Sequence, residues 1–147
     1  TSPSGGARHS LEVYLWCSRV EGLERGVYHY RADQHHLELL KPGKVADRLP
    51  RLCGHQDWAR NCSVLFAMTT VLARVTWRYR YSRAYRVILL EAGHFCQTFC
   101  LVATWLGLAP FCTAAFDDEK IEGDLGLNAD EAVLYAGGVG TPLRPRN

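Results

Sequence analysis

Pro3-Ser4-Gly5-Gly6-Ala7 is the first stretch whose residue types suit a chemical task. Glycine has no Cβ to hold the backbone off, and its amides can point outward. Such a turn therefore lets the main chain approach something flat or anionic. A loose chain end has the same composition. Cys53-Gly54-His55 and His94-Phe95-Cys96 place metal-ligating atoms close together. Neither paired C-x-x-C units nor a Cys pair followed by a spaced His pair is present, so no metal site is expected. Within Glu91-Ala92-Gly93-His94, a histidine suits proton shuttling, but its Gly and Phe neighbours fit a hydrogen-bonded core residue better, and Glu91 shares that reading. Asp117 suits a helix cap better than an acid catalyst.

The elements that must hold these residues follow from pattern. Leu11–Ser18 has the aromatic and β-branched content of a strand, and 27–31 faces 36–40 across Ala32-Asp33-Gln34-His35 as a hairpin. A short helix disturbed by Pro50 is expected over Val45–Leu52, and a buried central strand over Ser63–Thr70. From Arg83 to Leu106, apolar residues recur at three- and four-residue steps, with further apolar residues on the other sides. That predicts a long helix covered on most faces, by a sheet and by a second subunit, hence a dimer. Gly107 ends it, Phe111–Phe116 reads as a strand, Asp117 or Asp118 caps a helix to about Leu125, and Val133–Ala136 is a last strand before Gly137-Gly138-Val139-Gly140. Gly93 reads as a point of close approach for a neighbouring helix or subunit.

A length of 147 residues fits one domain with a real core. The formal charge of +2, with arginines spread along the chain, does not suggest nucleic acid. The longest apolar stretches are interrupted by Arg, Glu, His or Gln, so no bilayer span is expected, and with no signal peptide visible the expected compartment is cytoplasmic. The six cysteines show no small-domain spacing pattern and read as free, buried thiols.

Four ordered segments, "SPSGGARHSLEVYL", "VEGLERGVYHYRADQHHLELL", "RAYRVILLEAGHFCQTFCLVATWLGL" and "FDDEKIEGDLGLNADEAVLYAGGVG", resemble the SagB-type dehydrogenases of the nitroreductase superfamily. The resemblance covers almost the whole chain and implies an α+β fold, an antiparallel-type sheet surrounded by helices, with two subunits intertwined around a long central helix. It also implies FMN at the dimer interface, a hydride acceptor in the oxidation of peptide thiazolines or oxazolines to azoles. By the same resemblance Pro3, Ser4, Gly5 and Gly6 lie beside the flavin ring. The backbone of Thr113, Ala114 and Ala115, in the stretch Cys112–Phe116, faces the N5 and O4 region, where amides stabilise the anionic reduced ring. Arg144 or Arg146 stands where a C-terminal basic residue meets the FMN phosphate.

Two departures from the family pattern stand out. The Arg-rich phosphate-gripping helix that family members carry upstream of the glycine turn is missing from this sequence. A separate chain supplying that wall, an incomplete domain with weak FMN binding, and lost flavin affinity are the open alternatives. Azoline-oxidising relatives also use a Lys-Tyr pair as base, and the matching region here is Trp77-Arg78-Tyr79-Arg80-Tyr81. Tyr79 or Tyr81 fills the tyrosine position. Arg78 or Arg80 replaces lysine, and a guanidinium is a poor base that can only favour a phenolate. The function expected is an FMN-dependent dehydrogenase of a peptide-derived heterocycle, working as a homodimer or with a partner chain. The rival is a flavin-free nitroreductase-fold subunit for dimerisation or peptide binding.

Overall fold

The structure is a computed structural model that describes residues 2–142. Its centre is a six-stranded sheet in the order β3-β2-β1-β4-β6-β5. The strands are β1 (Leu11–Cys17), β2 (Gly26–Arg31), β3 (His36–Pro42), β4 (Val64–Val71), β5 (Ala109–Thr113) and β6 (Glu131–Gly140), and every neighbouring pair is antiparallel. The helices are α1 (Leu49–Leu52), α2 (Ala73–Thr76), α3 (Arg83–Trp105) and α4 (Asp118–Leu125). The architecture is α+β, as expected.

Period-two alternation divides the core. Tyr14 and Trp16 of β1, with Leu65 and Ala67 of β4, face α1 and α4 and meet Leu49, Leu52 and Ile121. Val13 and Leu15, with Phe66 and Met68, face the opposite side, where Cys96, Phe95 and Phe99 of α3 cover them. Because β4 is buried on both faces, its apolar run is continuous. Fully burying a side chain such as Leu65 stabilises by roughly 1.5–3 kcal/mol. On the α4 side the Trp16 indole donates to Asp124 at 2.7 Å and Arg48 reaches the same carboxylate at 3.1 Å, so the polar edge of the indole is satisfied. The two prolines in strands, Pro42 and Pro110, lie on the edge strands β3 and β5, where a missing N–H costs no ladder bond.

Helix α3 ends as Gly107 predicts. Its left-handed φ of 76° lets Gly107 donate to Thr104 and Leu108 donate to Ala103, closing the last turn. One of the expected elements needs correction. The glycines after Val133–Ala136 do not follow a strand; they are inside β6, where a Cβ on Gly137 would meet the Phe111 carbonyl and the Phe66 ring at 2.5 Å. Among the described residues α3 is covered on one face: Ala84, Ile88, Glu91, Ala92, Cys96 and Ala103 are buried, while Tyr85, Leu89, Leu101 and Trp105 are exposed on the side for which a second subunit is expected. Gly93 has no neighbour within 4 Å of a built Cβ, so any close approach there must come from outside the described chain. By length and composition alone α3 could cross a bilayer despite its polar interruptions, but here it lies across the sheet.

The cysteines also depart from the expectation of six free thiols. Cys96 and Cys112 form a disulfide between α3 and β5, whereas Cys17, Cys53 and Cys62 are free and buried and Cys100 is free and half-buried. Spacing along the chain does not show this pairing. The pairing arises because α3 packs its Cys96 face onto the edge strand.

Candidate functional site: a clamped glycine turn

The segment Ser4–Ser10 leads into β1 and is held by two helices. The buried Glu91 of α3 accepts from the Ser4 hydroxyl at 3.0 Å and from the Ser10 backbone N–H at 3.0 Å. The Ser4 hydroxyl oxygen in turn accepts from the His9 N–H at 2.8 Å. A carboxylate removed from water needs such donors, because an uncompensated buried charge is costly. From the α2 side, Arg74 donates to the His9 carbonyl at 3.2 Å, and the Arg8 guanidinium lies 5.0 Å from the centre of the Trp77 ring.

Glycine is required here for contact as much as for ligand approach. A Cβ on Gly5 would lie 2.1 Å from Val87 Cγ1, and one on Gly6 would lie 2.8 Å from the Tyr79 hydroxyl. Gly6, Ala7 and His9 adopt positive φ values of 62°, 53° and 46°. Two of these are not glycine, and such residues persist only where the surroundings over-determine the backbone. The turn is therefore a built feature of the fold, not a loose end.

Two cavities run along α3 beside this turn. One, of about 310 Å³, is lined by Pro3, Ser4, Glu91 and Phe95 among others; the second, of about 370 Å³, is lined by Phe99, Val102, Leu106 and Val139. They share Ser2 and Phe95, so they form neighbouring parts of one largely apolar trench. Its size and apolar walls with a few convergent polar groups suit a planar organic ligand. The Ser10 hydroxyl, next to the turn, is buried without a hydrogen-bond partner among the described residues. Of the expected turn residues, Pro3 and Ser4 line the smaller part of the trench, whereas Gly5 and Gly6 line neither part.

The other expected site residues fall in different places. Tyr79 is half-buried beside Val75, Ala84 and Ile88, with its hydroxyl over Gly6. Tyr81 is 84% exposed, Arg80 is exposed, and none of these three lines either part of the trench. Thr113 ends β5, and its hydroxyl accepts from the Ala115 N–H at 2.9 Å while the Ala115 carbonyl accepts from Gln56 at 3.1 Å. Thr113, Ala114 and Ala115 do not line these two cavities. Arg144 and Arg146 lie outside the described residues. Asp117 is the N-cap of α4, accepting from the Lys120 N–H at 3.1 Å, and His94 is exposed, not a core residue.

Sequence reasoning undervalued Glu91. The signal was a single carboxylate in an otherwise apolar helix segment, which must either find donors or be expelled to water. It also missed a polar network beneath the turn, where Glu12 joins Arg74 at 2.5 Å to His29 at 2.7 Å. Tyr14 stacks on His29, and its phenol is pushed well above the usual range by burial and then by the Glu131 carboxylate. That phenol stays protonated and is no base.

The comparisons agree with this architecture. The chain belongs to the Nitroreductase family, which matches residues 1–141. It is 31% identical over 121 residues to a Methanocaldococcus jannaschii protein named as a nitroreductase, covering 82% of this chain and 61% of that protein. It is 31% identical over 133 residues to the Microcin B17-processing protein McbC of Escherichia coli, covering 86% and 48%. The E. coli microcin synthetase McbBCD complex, solved with truncated pro-MccB17 bound, superposes with a TM-score of 0.84 at 27% identity over 97% of this chain and 56% of the matched one. The chain thus spans about half to three fifths of the length of these relatives.

Proposed function

We propose that this chain is the FMN-binding part of a SagB-type dehydrogenase that oxidises a peptide-derived azoline ring to an azole. The clamped, strained turn Ser4–Ser10 beside an apolar trench is the observation that carries the reading. The likeness to a microcin-processing protein favours a peptide substrate. Bound there, FMN supplies a two-electron acceptor. Pro3, Ser4, Gly5 and Gly6 hold one side of it, Phe95 excludes water, and Arg144 or Arg146 of the tail serves the phosphate. Thr113, Ala114 and Ala115 present backbone from the neighbouring strand end. Tyr79, whose hydroxyl sits on the turn, is the better placed of the two tyrosines to take a proton. Arg80 is its neighbour in the chain and is read as part of the same site.

The apolar face of α3 bearing Leu89, Leu101 and Trp105 suits a second copy of the chain or a partner chain, which completes the flavin site in this reading. The whole is read as one nitroreductase-like domain acting in the cytoplasm. Anaerobic mixing of the FMN-loaded protein with an azoline-containing peptide tests the proposal: flavin absorbance bleaches, Tyr79→Phe slows bleaching at least about tenfold, and Tyr81→Phe leaves it unchanged. Bleaching at the wild-type rate in Tyr79→Phe removes Tyr79 as the base.

A second reading, a flavin-free module for dimerisation or peptide binding, is favoured by the absence of Tyr79, Tyr81 and Arg80 from the lining of the trench. Failure of FMN to bind while the peptide still binds selects it.

A further inference from the structure

Cys96 and Cys100 stand one turn apart on α3, and Cys112 faces them from β5; the three sulfur atoms lie within 4.8 Å of one another. Cys96 and Cys112 are disulfide-bonded, and Cys100 Sγ is 3.5 Å from Cys112 Sγ. A disulfide uses two sulfurs and gives no reason for a third to converge on the pair. A shared metal ion does: thiolates bound at about 2.3 Å around one ion stand roughly 4 Å apart. Two ligands from successive turns of one helix and one from a facing strand leave the backbone of both elements intact.

The surroundings narrow the ion. Phe66, Met68, Phe95 and Phe99 belong to the same cluster, and among the described residues no His, Asp or Glu joins the three cysteines to make a fourth ligand. An all-sulfur, three-donor set in an apolar wall favours soft ions and rejects magnesium and calcium, which take oxygen ligands. We propose that, once the Cys96–Cys112 bond is reduced, Cys96, Cys100 and Cys112 form a trithiolate site for a soft d10 metal ion, Cu(I) or Zn(II). Reduction by a phosphine and one water yields two thiols and the phosphine oxide, and the ion then displaces one proton from each of the three thiols. The bound ion bridges α3 to β5 where the disulfide does in the oxidised chain. The site stands on the cysteine geometry alone and is independent of the flavin reading.

The test is an anaerobic titration of the whole phosphine-reduced chain with Cd(II), Zn(II) and Cu(I) in separate arms. Cadmium is followed by its thiolate charge-transfer absorption, and the other two by competition with a chromophoric chelator. One equivalent per chain is expected for cadmium and for at least one of the other two ions, with Cys100→Ser weakening binding at least about 100-fold, the upper end of what losing even an outer-shell partner costs. The unreduced protein binds none. A second measurement on the wild type avoids any folding defect of the variant: in the reduced native chain, bound metal slows alkylation at the half-buried Cys100 and Cys112, while the buried Cys17, Cys53 and Cys62 stay unlabelled with or without metal. The proposal is overturned by a reduced wild type that takes up no stoichiometric ion, by Cys100→Ser binding as tightly as wild type, or by alkylation of Cys100 at the same rate with and without bound metal.

Discussion

The Ser4 hydroxyl donates a 3.0 Å hydrogen bond to Glu91, a residue 87 positions away in the middle of the long helix. The same carboxylate accepts from the Ser10 N–H, so one side chain fixes both ends of the turn that leads into β1. Because the carboxylate is buried, removing it leaves both donors in a site that water reaches poorly. Glu91→Ala is expected to lower unfolding free energy by about 1–3 kcal/mol per donor left without a partner. Glu91→Gln is expected to cost much less: its amide oxygen accepts from Ser10 and its NH2 donates to the Ser4 oxygen. Urea denaturation of the two variants measures this difference.

Gly5 and Val87 form a lock of the opposite kind, shape without charge. Gly5→Ala should destabilise strongly, since its Cβ would sit 2.1 Å from Val87 Cγ1. Val87→Ala in the same chain should recover most of the loss. A double-mutant cycle in denaturant is expected to show a coupling above about 0.5 kcal/mol, and simple additivity would mean that the turn moves aside.

Asp117 gives the chain an acid-side dependence. Its carboxyl is held below the usual carboxylate range by the Lys120 ammonium and the Lys120 N–H. The folded-state pKa is the lower one, so the contribution is complete above the ordinary carboxylate range and is lost as pH falls through the depressed value. Asp117→Asn keeps a capping oxygen and should remove that part of the acid-side decline in Tm.

Three thiols should be silent in the native protein. Burial raises Cys17 and Cys53 to about 11 and pushes Cys62 in the same direction. Thiol-specific alkylation near neutral pH is expected to label none of the three until denaturant unfolds the chain. Native labelling of Cys17 would show that β1 opens locally.

Most of the fold was legible because its signals are local. Leu11–Ser18, the hairpin around Asp33, the central run Ser63–Thr70 and the long helix from Arg83 each match an observed element to within a few residues. The glycine run of β6 was misplaced because Gly137 is chosen by what packs on it, the Phe66 ring and the Phe111 backbone, which composition cannot reveal. The site was legible in part for the same reason. Pro3–Gly6 announced itself as a turn, but the residue that clamps it lies 87 positions away. The sulfur cluster likewise needs α3 laid against β5 before Cys112 meets Cys96 and Cys100.

The central claim is that the turn clamped by Glu91 forms one side of an FMN site. Equilibrium titration of FMN into wild type, Glu91→Gln and Glu91→Ala, each checked for folding by circular dichroism, tests it most directly. The account predicts saturable binding approaching one FMN per chain in wild type, nearly kept in Glu91→Gln and weakened at least about tenfold, or 1.4 kcal/mol, in a folded Glu91→Ala. No saturable FMN binding by wild type, or equal affinity in all three proteins, would contradict it.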